Sequence, residues 1–483
     1  MSSCRPHAGD AAPPTEVISI DSGIYRGLIS ADRRASAVLT DIPTTVRTVA
    51  STRSKRPLVV DLFAGAGGLS LGFEQAGYDV AAAVELDPVH AAVHEYNFPY
   101  STTMCRSVVG LTGDEIRRSA GIGNRSLHAV VGGAPCQGFS MIGKRALDDP
   151  RNLLVREFSR IVMELQPRYF VLENVAGLTV GDHRKFLDEI VHEFEGEYRV
   201  LMPYRVLQAA EFGVPQSRKR LFLIGAQEGV PLPSYPSPIT RPGSMKGVPQ
   251  ASELSLGLTV PPGPTVWDAI GDLPDADDHD ELMDGDAVLA RFGEPSDYAA
   301  ALRGLRRDPT DFSHMREFDE KLLTSSMRTV HTELSRTRFA ATAPGTTEEV
   351  SRFLRLHPEG ICNTLRAGTA SDRGAHTSPR PIHPKLPRVI TVREAARLHA
   401  YPDWFRLHAT KWHGFRQIGN SVPPPLARAV AGSLLAADGI KPQPGQLLTD
   451  DRDENLLLFG AARAERHFGI ASRVIPQRDR KSV

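Results

Sequence analysis

The sequence predicts an α/β fold in which a doubly wound, mostly parallel sheet carries helices on both faces. Between residues 57 and 225, short apolar runs of strand length alternate with stretches whose apolar residues recur at helical spacing. This alternation is typical of βαβ units and therefore of parallel strands. In addition, glycine-rich and charged segments directly follow several apolar runs, at the strand ends where such sheets bind ligands.

The individual elements follow from this pattern in chain order. The predicted strands are residues 58–62, 80–84, 128–131, 169–172 and 221–225. The predicted helices are residues 69–76, 153–165 and 391–405, and a loop followed by a helix is predicted for 417–430.

Composition divides the chain into five regions. An N-terminal stretch rich in Ala, Ser, Thr and Arg predicts a flexible extension, and the strands that follow predict a catalytic domain. A stretch rich in proline and glycine predicts an irregular inserted domain, in which the acidic run at 272–286 is expected to be a solvated surface loop. A return segment then completes the core, and a polar tail follows. In chain order, the flexible extension is 1–55, the catalytic domain 56–225, the inserted domain 226–390, the return segment 391–440 and the polar tail 441–483.

Bulk properties exclude several classes of protein. The 57 Lys and Arg balance the 57 Asp and Glu, so any basic surface for nucleic acid must be local. The four cysteines form no C-x-x-C pair, which argues against a zinc knuckle and favours a reducing compartment. No apolar run approaches the roughly 20 residues of a membrane helix, and no secretory signal is evident. We therefore expect a cytoplasmic protein without a membrane partner.

A glycine-rich turn, DLFAGAGGLSLGF, joins the first predicted strand to its helix. Gly65, Gly67 and Gly68 permit a tight turn and the close approach of a ligand. Ser70 stands where the dinucleotide fingerprint needs its last glycine. Glu85 ends the second strand, where a carboxylate can accept hydrogen bonds from ribose hydroxyls. An adenosine carrying a sulfonium fits this pattern better than NAD, and a purely structural glycine turn is the alternative.

A second loop, GGAPCQGFS at 132–140, places Cys136 after a proline at the carboxyl edge of the sheet. An exposed and reactive thiol is expected there. Cys105 and Cys362, by contrast, are predicted to be ordinary buried thiols.

Two further segments bring charged groups to the sheet. Glu173 follows the strand at 169–172, where it serves either the chemistry or the N-terminus of a helix. In the segment QSRKR, alternation along a strand places Gln216, Arg218 and Arg220 on one face. These arginines are either solvated or bind a phosphate or a base oxygen. Convergence of such groups with Cys136 at one sheet edge favours a catalytic site.

In this order, the motifs resemble those of the DNA (cytosine-5) methyltransferase family. The resemblance runs from about residue 57 to 435, with a variable stretch at 226–386 where the family has its target-recognition domain. The segments that carry it are DLFAGAGG, the strand end at Glu85, GGAPCQGFS, ENV, QSRKR, TVREAARLHAYPD and QIGNSVPP.

The resemblance implies a methyltransferase that moves a methyl group from S-adenosylmethionine to carbon 5 of a flipped-out cytosine in duplex DNA, without a metal. It implies the sheet of S-adenosylmethionine-dependent methyltransferases. Cys136 would be the nucleophile, and Glu173 would hold N3 of the base. Arg220, with Arg218 beside it, would support the O2 side. The implied cofactor-pocket residues are Phe63, Ala64, Gly65, Gly67, Gly68, Leu69, Glu85, Leu86, Pro135, Leu154, Asn420 and Ser421.

Duplex DNA is the implied macromolecular partner. A basic stretch at 373–397 predicts contacts to phosphates or base edges, with a solvated surface as the alternative. The expected DNA-binding residues are Gln137, Ser140, Arg373, Arg380, Lys385 and Arg388. We expect a monomer that acts either alone or with a cognate restriction endonuclease as its functional partner.

One departure and two rival functions accompany the resemblance. Ser107 stands where the family has an acidic residue that contacts the adenine amine. A tRNA cytosine-5 methyltransferase shares the catalytic motifs, but its Cys-Phe-Thr signature is absent here. A non-catalytic DNA-binding relative would have lost one of the reactive groups, whereas Cys136, Glu173 and Arg220 are all present.

Overall fold

A central sheet flanked by helices is built from the first half of the chain. The computed structural model describes residues 55–135, 153–180, 183–247, 260–368, 380–448 and 452–470. Almost all of the N-terminal extension predicted for residues 1–55 therefore lies outside the described residues. The elements of the first half are β1 (Leu58–Leu62), α1 (Gly68–Ala76), β2 (Asp79–Glu85), α2 (Pro88–Asn97), β3 (Thr102–Cys105), α3 (Gly113–Ser119), β4 (Ala129–Gly132), α4 (Leu153–Leu165), β5 (Tyr169–Val175), α5 (His183–Glu193), β6 (Tyr198–Val200), β7 (Arg205–Gln208) and β8 (Lys219–Gln227).

The second half has short elements in an irregular region, followed by longer helices. None of the helices in the described ranges is long and apolar enough to cross a membrane. The elements are α6 (Val266–Ile270), β9 (Val288–Leu289), α7 (Asp297–Leu302), β10 (Met315–Arg316), β11 (Leu322–Leu323), α8 (Glu333–Ala341), α9 (Val392–Leu398), α10 (Lys411–Asn420), α11 (Pro424–Ala437), β12 (Leu447–Leu448) and α12 (Ala461–His467).

The sheet has the strand order β3-β2-β1-β4-β5-β8-β6, and β7 also pairs with β8. Neighbours from β3 to β5 are all parallel, whereas β8 is antiparallel to β5. The predicted doubly wound, mostly parallel sheet is therefore confirmed. The chain moves outward in one direction from β1 and in the other from β4, so a crevice opens at the carboxyl ends of these two strands.

Apolar runs predict the central strands better than the edge strands. β1 and α4 have the predicted bounds, and the other predicted strands are found with their ends shifted by one or a few residues. The pattern gave no sign of β3, β6 or β7. These strands are short and lie at or near the sheet edges, where exposed and buried residues mix without an apolar run.

Helices α1 and α11 cover one face of the sheet together. A Cβ at Gly72 of α1 would lie 2.3 Å from the Cβ of Ala427 in α11, so the glycine permits close helix contact. Phe73, Leu426 and Val430 are fully buried in the core on this face. Helices α4 and α5 contribute to the core on the other face.

The acidic run at 272–286 differs from its prediction. Asp272 is buried and accepts a hydrogen bond from Arg397 at 3.1 Å. Asp275 accepts one from Arg388 at 3.0 Å. The interpretation as a solvated loop is wrong for these two carboxylates, because they pair with the buried guanidinium groups of Arg397 and Arg388.

The helices of the return segment have different bounds from those predicted. The predicted helix at 391–405 ends at Leu398, after a start capped by Thr391. The predicted loop at the start of 417–430 instead belongs to α10, because Phe415 and Ile418 are buried at helical spacing.

The C-terminal tail is also not wholly polar and peripheral. Within 452–470, Leu456, Leu457 and Phe459 are buried against helix α2. Their α2 partners are Val89, Ala92, Val93 and Tyr96. The four consecutive apolar residues at 456–459 were therefore a sign of packing that the polar composition concealed.

A buried ion pair joins the irregular region to α1. Glu74 is fully buried and is paired with Arg316, whose Nη2 lies 2.8 Å from Oε2. The carboxylate also accepts hydrogen bonds from the hydroxyl of Tyr100 and the backbone N–H of His314. Burial favours the neutral acid, but Arg316 outweighs it and holds the pKa of Glu74 below its ordinary value.

We predict that Arg316→Met lowers the free energy of unfolding by about 3–5 kcal/mol, because it leaves a buried carboxylate without its cation. Urea denaturation followed by circular dichroism measures this change. Arg306→Met is the matched control, since the pair of Arg306 with Asp297 is largely exposed and should leave the midpoint unchanged. Equal midpoints for the two variants would contradict the prediction.

Candidate active site

The glycine loop after β1 turns sharply at the carboxyl end of the sheet. The backbone N–H of Ala64 donates to a carbonyl of β2 at 3.0 Å. Phe63, Gly65 and Gly67 all have positive φ, at 63°, 58° and 104°. A Cβ at Gly67 would lie 2.3 Å from a ring carbon of Phe98. The loop thus requires glycine at 67 for both space and conformation.

Glu85 closes the loop from the neighbouring strand. Its Oε2 accepts the backbone N–H of Gly65, and its Oε1 accepts that of Asp87, both at 2.7 Å. A carboxylate has about four acceptor positions, so about two remain for a ligand. Burial raises the pKa of Glu85. Leu86 follows directly and is half-buried.

A buried polar chain lies beneath the loop. The Ser70 hydroxyl donates to Asp61 Oδ2 at 2.5 Å and lies 3.0 Å from His94 Nε2, while His94 Nδ1 lies 3.1 Å from the hydroxyl of Thr103. Asp61 Oδ1 has no hydrogen-bond partner in the described part of the chain. Burial raises the pKa of Asp61 to about 7 and lowers that of His94 to about 3. Sequence analysis missed this group, although a carboxylate inside the apolar run LVVDL was its signal.

This raised pKa predicts a pH dependence of stability. The native state binds the Asp61 proton more tightly than the unfolded state, so the free energy of unfolding falls as pH rises from about 4 to 7. Asn cannot ionise, so the Asp61→Asn variant does not lose stability in this way. The free energy of unfolding of the variant minus that of the parent protein should therefore increase by a few kcal/mol between pH 5 and pH 8. Chemical denaturation at both pH values measures the difference. The exposed Asp114 gives the control Asp114→Asn, and equal behaviour of the two variants would refute the assignment.

The second loop approaches Glu173. The Asn174 amide donates to the carbonyl of Ala134 at 3.2 Å. A Cβ at Gly133 would lie 2.8 Å from Glu173 Oε2. Pro135 follows and is exposed. The expected nucleophile and the two loop residues expected to contact DNA lie outside the described residues; they are Cys136, Gln137 and Ser140.

Glu173 forms an ion pair with Arg220, whose Nε lies 2.8 Å from Oε1. Both side chains are mostly buried. Burial raises the pKa of Glu173, against the opposing effect of Arg220 and Arg218. β5 continues through Glu173 to Val175, which precedes a short 3-10 helix without a side-chain cap. The alternative role of Glu173 at a helix N-terminus is therefore wrong.

Arg218 and Gln216 are buried, and both donate hydrogen bonds to backbone carbonyls of segments distant in sequence. The Arg218 guanidinium donates to the carbonyls of Leu365, Gly419 and Ser421, each at 2.8 Å. Gln216 donates to the carbonyl of Leu398 at 3.2 Å. Arg218 is thus placed to position neighbouring segments, while Arg220 alone of the two contacts Glu173.

The return segment reaches the glycine loop. A Cβ at Gly68 would lie 2.5 Å from the carbonyl oxygen of Val422 and 2.8 Å from the Cβ of Ser421. Asn420, at the end of α10, is exposed beside this contact. The loop after β1 therefore contacts both Glu85 at the end of β2 and the return segment.

A model of the C-5 cytosine-specific DNA methylase family matches residues 58–436, from β1 to the end of α11. The chain belongs to the C-5 cytosine-specific DNA methylase family. The match includes both parts of the sheet-forming core and the irregular region between them. The predicted resemblance is thereby confirmed at the level of the family.

Individual methylases are similar over most of this chain. Type II methyltransferase M.XorII of Xanthomonas oryzae is 59% identical over 88% of this chain and 95% of its own length. M1.HphI of Haemophilus parahaemolyticus is 32% identical over 78% and 86%. A solved E. coli prophage chain, described as a DNA modification methyltransferase, has a TM-score of 0.62 and 32% identity, covering 79% of this chain and 99% of that one.

Two other residues predicted for the methylase site, and the serine that departs from the family pattern, have simple surroundings. Leu69 is buried in the core beneath the loop, and Leu154 at the start of α4 is partly buried. The Ser107 hydroxyl accepts the backbone N–H of Val109 at 3.0 Å. Within the described ranges, no group of three or more His, Cys, Asp or Glu side chains is arranged to hold a metal ion.

The residues expected to contact DNA fall into different environments. Arg388 is buried and forms two hydrogen bonds to Glu394, at 2.8 and 2.9 Å, so its prediction as a DNA contact is wrong. Lys385 is exposed, with Nζ 3.4 Å from the ring centre of Trp267. Arg380 is half-buried over a phenylalanine ring. The remaining candidate, Arg373, lies outside the described residues.

Proposed function

We propose that this methylase transfers a methyl group from S-adenosylmethionine to carbon 5 of a cytosine flipped out of duplex DNA, through a covalent bond between Cys136 and carbon 6. The observation that carries the proposal is the buried pair of Glu173 and Arg220, held 2.8 Å apart beside the GGAP loop. Family membership supports cytosine in DNA as the substrate.

The glycine loop and Glu85 fit the proposed cofactor. The carboxylate, fixed by two backbone N–H groups, keeps acceptor positions suited to ribose hydroxyls. Gly65 leaves open space, since a Cβ there would meet nothing within 4 Å. Asn420 and Ser421 would complete the pocket from the return segment. The other proposed pocket residues are Phe63, Ala64, Gly67, Gly68, Leu69, Leu86, Pro135 and Leu154.

The proposed chemistry begins at carbon 6 of the base. The Cys136 thiolate forms a bond to carbon 6, and Glu173 in its protonated form meets the charge that develops at N3. Carbon 5 attacks the electrophilic methyl group that bound S-adenosylmethionine would supply, and the sulfur–methyl bond breaks with S-adenosylhomocysteine as the leaving group. Loss of the proton from carbon 5 and cleavage of the carbon–sulfur bond then restore the aromatic ring and the thiolate.

Burial affects the protonation of Glu173, and Arg220 orients its carboxyl group. Burial raises the pKa of Glu173 and so favours the protonated acid that N3 requires. Arg220 uses Nε for Glu173 and Nη1 for the carbonyl of Lys219. Its Nη2 donors remain for the O2 oxygen of the base.

The duplex would lie between the two parts of the molecule. We propose that residues 56–225 and 391–440 form the catalytic domain and that 226–390 recognises the target, with Arg380 and Lys385 among the DNA contacts. The thiolate must approach carbon 6 from the face of the ring, which the stacked neighbouring bases cover in the double helix, so the cytosine must be flipped out. The names of the type II relatives support a restriction–modification role.

We predict that Cys136→Ser lowers methyl transfer to duplex DNA by at least about 1,000-fold while DNA binding persists, because a hydroxyl is a much poorer nucleophile than a thiolate. Transfer of tritiated methyl groups and fluorescence anisotropy measure the two properties. Bisulfite sequencing of DNA from an expressing host first identifies the target. Retained turnover would overturn the mechanism, and methylation of tRNA alone would overturn the substrate.

We predict that Arg220→Ala lowers kcat by about 100-fold without weakening S-adenosylmethionine binding, because it removes a donor to the base and the partner of Glu173. Single-turnover kinetics and isothermal titration separate the two effects. Arg199→Ala is the control, since Arg199 contacts Glu228 near the other end of β8. A weaker cofactor affinity with unchanged kcat would contradict the role of Arg220.

A further inference from the structure

A short segment of the irregular region, residues 362–365, is hydrogen-bonded to the chain that leads into β8. Ser217 and Cys362 share a backbone hydrogen bond of 2.7 Å, and the Cys362 N–H donates to Pro215 at 2.8 Å. The Leu365 N–H donates to the side chain of Gln216 at 3.1 Å. The backbone up to Leu365 is therefore held in a fixed register beside the QSRKR motif.

The same segment is fixed on its other side by the return helix. Arg218 binds the carbonyl of Leu365 at 2.8 Å. A Cβ at Gly419 would lie 2.1 Å from the backbone nitrogen of Ala367, so the two backbones are in close contact. Between these anchors stands Arg366, which is exposed.

The guanidinium of Arg366 has no acidic partner in the described ranges, where no carboxylate lies within 4 Å of it. Many other arginines of the region are neutralised; Arg388, Arg393 and Arg397 pair with acids. An unneutralised guanidinium on a rigid backbone keeps its charge and its planar set of donors available for a ligand.

We propose that Arg366 binds a backbone phosphate of the DNA strand that carries the target cytosine. Its neighbour Leu365 contacts Arg218, which lies two positions from Arg220 and close enough to Glu173 to affect its pKa. A flipped cytosine stays attached to its sugar and phosphates, so anionic oxygens arrive at the rim of this pocket. A guanidinium binds phosphate through two parallel hydrogen bonds. This inference rests on the proposed function.

The test compares Arg366→Gln and Arg366→Lys with the parent protein. The probe is a fluorescent duplex that carries the target sequence, and anisotropy gives Kd between about 50 and 200 mM KCl. We expect Arg366→Gln to weaken binding about 10-fold and to reduce the slope of log Kd against log salt concentration by about 0.9, since one phosphate contact is lost. Arg366→Lys should keep most of the slope, because the charge remains.

Arg118→Gln is the matched control, because Arg118 is also exposed but lies on α3, outside the proposed recognition domain. It should leave the salt slope unchanged. Isothermal titration with S-adenosylmethionine should give the parent Kd for both glutamine variants. The proposal is overturned if Arg366→Gln leaves the slope of log Kd for DNA against log salt concentration unchanged. It is also overturned if the only effect is weaker binding of S-adenosylmethionine, which would assign Arg366 to the carboxylate of the cofactor.

Failure of the two proposals can be distinguished. If the parent protein binds and methylates the duplex but Arg366→Gln has the same Kd and slope, only the role of Arg366 is lost. If the parent protein neither binds nor methylates duplex DNA, the proposed function fails, and the role of Arg366 fails with it.

Discussion

The guanidinium of Arg218 connects the parts of the molecule that meet at the candidate active site. It is fully buried and meets three backbone carbonyls, from Leu365 in the irregular region and from Gly419 and Ser421 in the return segment. Burial lowers the pKa of this arginine well below its ordinary value, yet each carbonyl dipole stabilises the charged form. Segments distant in sequence are thereby fixed around β8. The position of Arg220 beside Glu173, and that of Ser421 beside Gly68, both depend on this arrangement.

Ion pairs replace regular hydrogen-bonded structure in the irregular region. Its strands are only two residues long, and its apolar clusters are small. Arg397 bridges Asp403 and Asp272, while Arg388 bridges Glu394 and Asp275. Buried pairs of this kind contribute little net stability but penalise alternative arrangements in which a charge loses its partner. They hold a region of few regular elements in one geometry beside the catalytic core.

The core of the fold could be predicted because its signals are local. Each central strand is an apolar run, and each functional loop directly follows a strand end, so Glu85, Glu173 and the glycine loop could be placed from sequence alone. The charged residues of the irregular region could not be placed. Arg388 contacts two carboxylates, that of Glu394 in the next helix and that of Asp275, which lies 113 positions away in sequence. The buried environment of Asp61 likewise arises from packing, with its hydrogen-bond partner Ser70 on α1 and with His94 of α2 on the other side of that hydroxyl.

The packing of α11 on α1 has a consequence for biosynthesis. The apolar side of α1, including Phe73, is covered by residues such as Leu426 that are translated some 350 positions later. Contacts between such distant residues form slowly, since a long loop must close first. The nascent catalytic domain must therefore leave the ribosome with one sheet face incompletely covered, and molecular chaperones would meet the polypeptide during this interval. This face of the sheet is fully covered only once α11 has emerged.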